Sequence, residues 1–168
     1  GEDPTAPGDP GHLTFYTLKQ TAPKFVPIKG VTVTNQFGPI VVDVTKPDRL
    51  LVPTSKSLTS SPPPLTTSLD HYKCYRVKGA KFRRVGITVK TQFGSLLVDI
   101  KAPLHLCAPV NTNGGGIVDP VSHLMCYKVI GPRAQVPPSV FTNNQFEVGS
   151  YSLFGIRELC VPSLKTLP

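Results

Sequence analysis

One pattern recurs three times in this chain at a fixed register, and no other feature constrains the fold as much. Residues 31–53 read VTVTNQFGPIVVDVTKPDRLLVP, residues 87–109 ITVKTQFGSLLVDIKAPLHLCAP and residues 140–162 VFTNNQFEVGSYSLFGIRELCVP. Phe37 to Leu51, Phe93 to Cys107 and Phe146 to Cys160 are each 14 residues apart. An upstream element precedes each copy: HLTFY at 12–16, HYKCY at 71–75 and HLMCY at 123–127. A fixed-period repeat means stacked or paired copies of one structural unit. Such an arrangement favours a structural or binding role, because an enzyme usually needs one asymmetric site.

Within a copy the apolar residues alternate. Ile40, Val42 and Val44 face one way against Val41 and Asp43; Leu96, Val98 and Ile100 stand against Leu97 and Asp99. In the third copy Tyr151 and Leu153 occupy the same register, with Ser150 and Ser152 between. Period two with a polar opposite face predicts half-buried strands. Val31 with Val33, and Ile87 with Val89, predict the preceding strand, and the Gln-Phe-Gly steps at 36–38 and 92–94 the turn. Glu147 replaces that glycine in the third copy. Nineteen prolines argue against long helices, and no apolar run is long enough to span a membrane.

The expected fold is therefore all-β. It consists of three related repeats of about 45 residues, each with about four short antiparallel strands, forming barrel- or sandwich-like units. The predicted organisation is an extended leader (1–11), repeat 1 (12–56), a Ser/Thr/Pro linker (57–69), repeat 2 (70–112), a Gly-rich connector (113–121) and repeat 3 (122–168). A unit this small needs a disulfide or a neighbour for stability.

Cysteine usage supplies the first of these. Cys74 and Cys107 lie in the second copy and Cys126 and Cys160 in the third; the first copy has Phe15 and Leu51 instead. Two equivalent positions per copy, filled or vacant together, favour Cys74–Cys107 and Cys126–Cys160 among three possible connectivities. Disulfides imply an oxidising compartment. The chain starts without an initiator methionine, and the reading is a secreted, extracellular or cell-surface protein whose signal peptide has been removed.

Formal charge is +8. Lys73, Arg76, Lys78, Lys81, Arg83, Arg84 and Lys90 form a candidate polyanion-binding set, weighed against an ordinary solvated face. Nucleic acid is not expected, since no aromatic-rich recognition motif accompanies these cations. Thr54, Ser55, Ser57, Thr59, Ser60, Ser61, Thr66, Thr67 and Ser68 are candidate O-glycosylation sites by composition.

Catalytic signatures are missing, so the chain is read as a non-enzyme. There is no nucleophile elbow, phosphate loop or dinucleotide fingerprint. Neither a metal nor a cofactor is expected. His12, His71 and His123 stand three residues before the Phe15, Cys74 and Cys126 positions, which puts the two side chains on opposite faces of a strand. His105, two residues from Cys107, recurs in no other copy, and all four histidines are read as structural. Asp43 and Asp99 are read as exposed strand residues. Tyr16, Tyr75 and Tyr127 stay in register and are read as packing residues rather than as sugar-stacking platforms.

The run His71-Tyr72-Lys73-Cys74-Tyr75-Arg76-Val77-Lys78-Gly79, then Thr91-Gln92-Phe93-Gly94, then Leu106-Cys107-Ala108-Pro109, resembles a family of uncharacterised Cys-containing β repeats in secreted bacterial surface proteins. His123 to Gly131, Gln145-Phe146 and Leu159-Cys160-Val161-Pro162 repeat it. The resemblance covers most of residues 70–165, with the first copy a degenerate member lacking cysteines. It implies an extracellular setting and no known activity, so no catalytic residue carries over.

The functional expectation is a secreted structural protein that self-assembles as a homopolymer into an extracellular filament or surface layer. Copy 1 lacks the staple, so His12, Leu13, Thr14, Phe15, Tyr16, Thr17, Leu18 and Lys19 are the candidate subunit-exchange strand. The alternative is a surface carbohydrate-binding or adhesion module recognising anionic polysaccharide.

Overall fold

Each Gln-Phe turn is built the same way from the residue before it. The side-chain oxygens of Asn35, Thr91 and Asn144 accept the N–H groups of Phe37, Phe93 and Phe146 at 2.9, 3.1 and 2.9 Å. These are local side-chain-to-backbone bonds that favour a turn over a continued strand. Gly38 and Gly94 follow with φ of 98° and 112°, a conformation that excludes most side chains.

The computed structural model describes residues 4–5, 8–79, 81–131 and 138–168; part of the expected leader lies outside them. Copy 1 supplies β1 (His12–Thr17), β2 (Ile28–Asn35) and β3 (Gly38–Ser57). Copy 2 supplies β4 (His71–Gly79), β5 (Arg83–Thr91) and β6 (Gly94–Val110), and copy 3 β7 (His123–Ile130), β8 (Ser139–Asn143), β9 (Val148–Ser152) and β10 (Glu158–Thr166). All pairings are antiparallel.

The expectation of four short strands per copy needs correcting. In copies 1 and 2 the third and fourth are one long strand, 20 residues in β3 and 17 in β6. Bulges make this possible. Register shifts flank Pro47 where β3 meets β4, and Pro103 where β6 meets β7. A proline cannot donate to the ladder and a bulge bends the strand, so the chain turns a corner without stopping.

The two long strands share one plan. Val42–Leu51 of β3 pairs with β4, while the opposite edge takes β2 along Gly38–Val44 and then β1 along Arg49–Thr54. Correspondingly, Asp99–Cys107 of β6 pairs with β7, and its opposite edge takes β5 and then β4. Thus the long strand of one copy hydrogen-bonds the first strand of the next. The pairings close on themselves through β3, β4, β6, β7, β10 and β2, and back to β3.

The interior of this ring holds the core. Val31 and Val33 of β2, Ile40, Val42 and Val44 of β3, Val77 of β4, Ile100 and Leu106 of β6, Met125 and Tyr127 of β7 and Val161 of β10 form one buried cluster. Every ring strand contributes, which is what burial inside a closed sheet requires. The alternation read in copies 1 and 2 matches this, with Val42 and Val98 at 1% and 2% exposure against Val41 and Leu97 at 55% and 60%. Copy 3 departs from the expectation. Tyr151 is 38% exposed, because β9 pairs with β8 outside the ring.

The disulfides are Cys74–Cys107 and Cys126–Cys160. Each joins residues directly opposite in a strand pair within one copy, β4 with β6 and β7 with β10. Phe15 and Leu51 stand opposite each other in the same way across β1 and β3. Replacing both, Phe15→Cys with Leu51→Cys, is expected to form a third bridge on air oxidation. It should raise stability against urea by about 2–4 kcal/mol. A pair that stays reduced under those conditions would contradict the register.

Candidate functional site

Three residues two places before the Leu51, Cys107 and Cys160 column are Arg49, His105 and Glu158, one from each copy. The fold brings them together. Arg49 Nη1 donates to Glu158 Oε1 at 2.7 Å, and Glu158 Oε2 lies 3.0 Å from His105 Nδ1. The ring takes two strands from each copy, and in this axial cluster one residue from each copy meets. Asp48 extends it: His105 Nε2 faces the Asp48 carboxylate at 3.3 Å, and Arg76 Nε donates to Asp48 Oδ2 at 2.5 Å. His105 and Asp48 are buried, at 5% and 8% exposure.

This network fastens copies to one another. Arg49 and Asp48 come from β3, Arg76 from β4, His105 from β6 and Glu158 from β10. Burial alone would raise the Glu158 carboxyl; hydrogen bonds from His105 and Arg49 outweigh it and hold the group below its ordinary value of 4.5. Among the described residues no group of three His, Cys, Asp or Glu side chains is placed to hold a metal ion. The other histidines are scattered: His123 Nε2 lies 2.7 Å from Lys165 Nζ, while the buried His71 Nε2 has no hydrogen-bond partner. His71 borders a cleft of about 460 Å³ between Pro53, the 64–71 and 112–118 segments and the 143–145 turn, which none of the axial residues lines.

Asp43 and Asp99 are not the free strand carboxylates expected. Both are half-buried, and each accepts a backbone N–H, from Gly30 at 3.0 Å and Gly86 at 3.1 Å. Those glycines are equivalent, have φ of 71° and 68°, and sit at the bulges of β2 and β5. The aspartates therefore anchor bulges. Tyr127 is fully buried and its hydroxyl accepts from Asn35 Nδ2 at 2.8 Å, so it packs; the Tyr16 hydroxyl donates to Glu147 Oε1 at 2.9 Å.

The basic set is partly engaged within the chain. Arg76 is bound to Asp48 and Arg83 to Asp99, Lys73 Nζ donates to Gln20, and Arg84 donates to the Phe37 carbonyl and lies over the Phe82 ring. Lys78, Lys81, Arg83, Arg84 and Lys90 are exposed. For the hydroxyl set a correction applies. Thr54 and Ser55 are buried in β3, and their hydroxyls donate to the Val52 and Pro63 carbonyls, so a transferase cannot reach them. Thr59, Ser60, Ser61, Thr66, Thr67 and Ser68 are exposed, and Ser57 is half-exposed.

The candidate exchange strand is not loose. Residues 12–17 form β1 and pair with β3 of their own chain. Leu18 N donates to the Asp48 carbonyl at 2.8 Å, and Lys19 is exposed. Yet β4 and β7 each have two strand partners, whereas among the described residues β1 has β3 alone. Its Leu13 and Phe15 side chains are 36% and 56% exposed. The edge of β1 away from β3 therefore takes no strand among the described residues.

The axial cluster went unread in the sequence, although placing the copies in register puts Arg49, His105 and Glu158 in one column. It carries a pH prediction. A carboxyl held lower in the folded than the unfolded protein stabilises the fold above pH 4.5, and that contribution is lost as pH falls through the folded value. Glu158→Gln should cost about 2–3 kcal/mol at pH 7. Urea unfolding should show the gap to the parent shrinking as pH falls from 5 towards 3 (roughly the range in which a lowered glutamate titrates). A gap independent of pH would contradict the assignment.

A family model described as "Repeat of unknown function (DUF7450)" matches residues 12–130, which takes in β1 through β7. Neither the curated proteins nor the solved structures give a match to the chain. The matched region covers copies 1 and 2 and the first strand of copy 3, the stretch in which both complete pairings between a long strand and the following first strand occur. With well over half its length matched, the chain belongs to this family of repeats of unknown function.

Proposed function

We propose that the chain is a structural module of a secreted or cell-surface protein, assembling with further copies of itself into an extracellular filament or layer by strand addition at β1. The observation that carries this is the uncovered outer edge of β1, where β4 and β7 each receive the long strand of the copy before them. Strand addition to an open edge supplies main-chain hydrogen bonds for affinity and side-chain alternation for register. The two disulfides fit an oxidising compartment. No helix among the described residues is long and apolar enough to cross a membrane. The proposed setting in secreted surface proteins of bacteria rests on the resemblance of the repeat motif. Recognition of anionic polysaccharide is the second reading. The exposed cations of β4, β5 and the turn between them favour it, and the engagement of Arg76, Arg83, Arg84 and Lys73 within the chain counts against it.

Charge on an edge strand opposes pairing. Leu13→Lys with Thr17→Lys places two cations on β1 at exposed positions. The variant should keep the parent circular dichroism and both disulfides. Its assembly midpoint, followed by light scattering, should shift at least about tenfold to higher concentration, or about 1.4 kcal/mol. A parent chain that stays monomeric at every concentration, or a variant that assembles like the parent, would overturn the proposal.

A further inference from the structure

If β1 is an open edge, the chain itself holds a segment of the right register to cover it. In copies 1 and 2 the long strand is continuous, and its middle is held by the first strand of the following copy. In copy 3 the corresponding strand breaks. β9 ends at Ser152, β10 starts at Glu158, and residues 153–157 between them are irregular. Phe154 is 91% exposed and Ile156 37%. Among the described residues only β7 pairs with Glu158–Ser163, and β2 takes Leu164–Thr166. Among the described residues two strand edges are therefore open: the edge of β1 away from β3, and the edge of Glu158–Ser163 away from β7.

Resting on the reading of β1 as a joining strand, we infer that residues 154–160 are the acceptor for β1 of a second copy, joined head to tail. The two filled joints give the register. β3 with β4 pairs Pro47 with Tyr75, Arg49 with Cys74, Leu50 with Lys73 and Leu51 with Tyr72. β6 with β7 pairs Pro103 with Tyr127, His105 with Cys126, Leu106 with Met125 and Cys107 with Leu124. Carried into copy 3 and copy 1, both templates give the same partners: Ile156 with Tyr16, Glu158 with Phe15, Leu159 with Thr14, and Cys160 with Leu13. In this register Ile156, which is exposed, faces Tyr16, and Leu13 faces Cys160, so the contact rests on main-chain pairing.

The chain's own β1 is not the occupant. In a symmetric three-repeat ring β1 would stand between β3 and β10. Here β2 stands there, paired to β3 through Val31–Asn35 and to β10 through Thr32–Thr34. Closure by β2 sends β1 outward to another molecule. The donor and acceptor surfaces differ, so the contact is heterologous, and it gives a filament when the rotation between successive copies does not close a ring.

The test is cross-linking between two differently tagged full-length chains, one carrying Tyr16→Cys and the other Ile156→Cys, mixed and oxidised, with bridges mapped by non-reducing peptide mass analysis. Thr14→Cys with Leu159→Cys is the second in-register pair, and Lys19→Cys with Leu159→Cys the out-of-register control. The expected result is a 16–156 or 14–159 bridge between the two tags and none from the control. Association that Leu13→Lys with Thr17→Lys abolishes, but that gives neither bridge, would overturn the acceptor while leaving the role of β1 intact. A 14–159 bridge within one chain carrying both substitutions, with none between tags, would overturn it in favour of closure on the same molecule. Absence of any association would overturn both.

Discussion

The joint between copies, where the long strand of one takes the first strand of the next along its edge, governs this molecule. β3 and β6 each run through two bulges, and over Val42–Leu51 and Asp99–Cys107 that joint lines one edge while strands of the same copy line much of the other. Unpaired backbone groups in a buried strand are costly, so the joint supports the continuity of the long strand. In copy 3 the same stretch of register takes no such strand among the described residues and is irregular at 153–157. The staples sit elsewhere, between the first and last strands of one copy, where they hold the unit together and leave the joint between copies to hydrogen bonds and packing.

Wrapping three repeats around one axis has a chemical consequence at the centre. Residues in one column converge there, and identical residues would put three like charges in contact. Here they are Arg49, His105 and Glu158, and their contacts alternate donor cation, carboxylate and imidazole at 2.7 and 3.0 Å. Asp48 and Arg76 extend the alternation outward. Breaking one partner leaves the others buried with unmatched charge, which costs more than the pair contributes over a well-packed apolar substitute. The cluster therefore also constrains which copies can share a ring.

Much of the fold could be read from the chain because the repeat supplies internal comparison. The alternation at 40–44 and 96–100 fixed which residues face the core, and the spacing of Cys74, Cys107, Cys126 and Cys160 pointed to bridges that the strand pairs place directly opposite. What escaped was non-local. Nothing around Pro47 or Pro103 says whether a strand ends there or bends through a bulge, since proline is compatible with both. Tyr151 shares the register of Val42 yet lies outside the ring, because β9 pairs with β8 and not with a ring strand. Asp43 and Asp99 looked like solvent-facing carboxylates; their partners are backbone N–H groups of glycines 13 residues upstream, on the adjacent strand. Thr54 and Ser55 looked accessible beside a proline-rich run, but β3 continues through them.

Hydrogen exchange of the backbone amides in the dispersed chain tests the account most directly, because it reads strand edges one residue at a time. With two partners each, β4 and β7 should exchange slowly along their lengths. With β3 alone, β1 should alternate, its inward amides protected and its outward amides exchanging at rates close to those of unpaired chain, and residues 153–157 should exchange fast as well. Slow exchange throughout β1 and 153–157 in the monomer would mean that the joint is already filled, and would contradict the open-edge account.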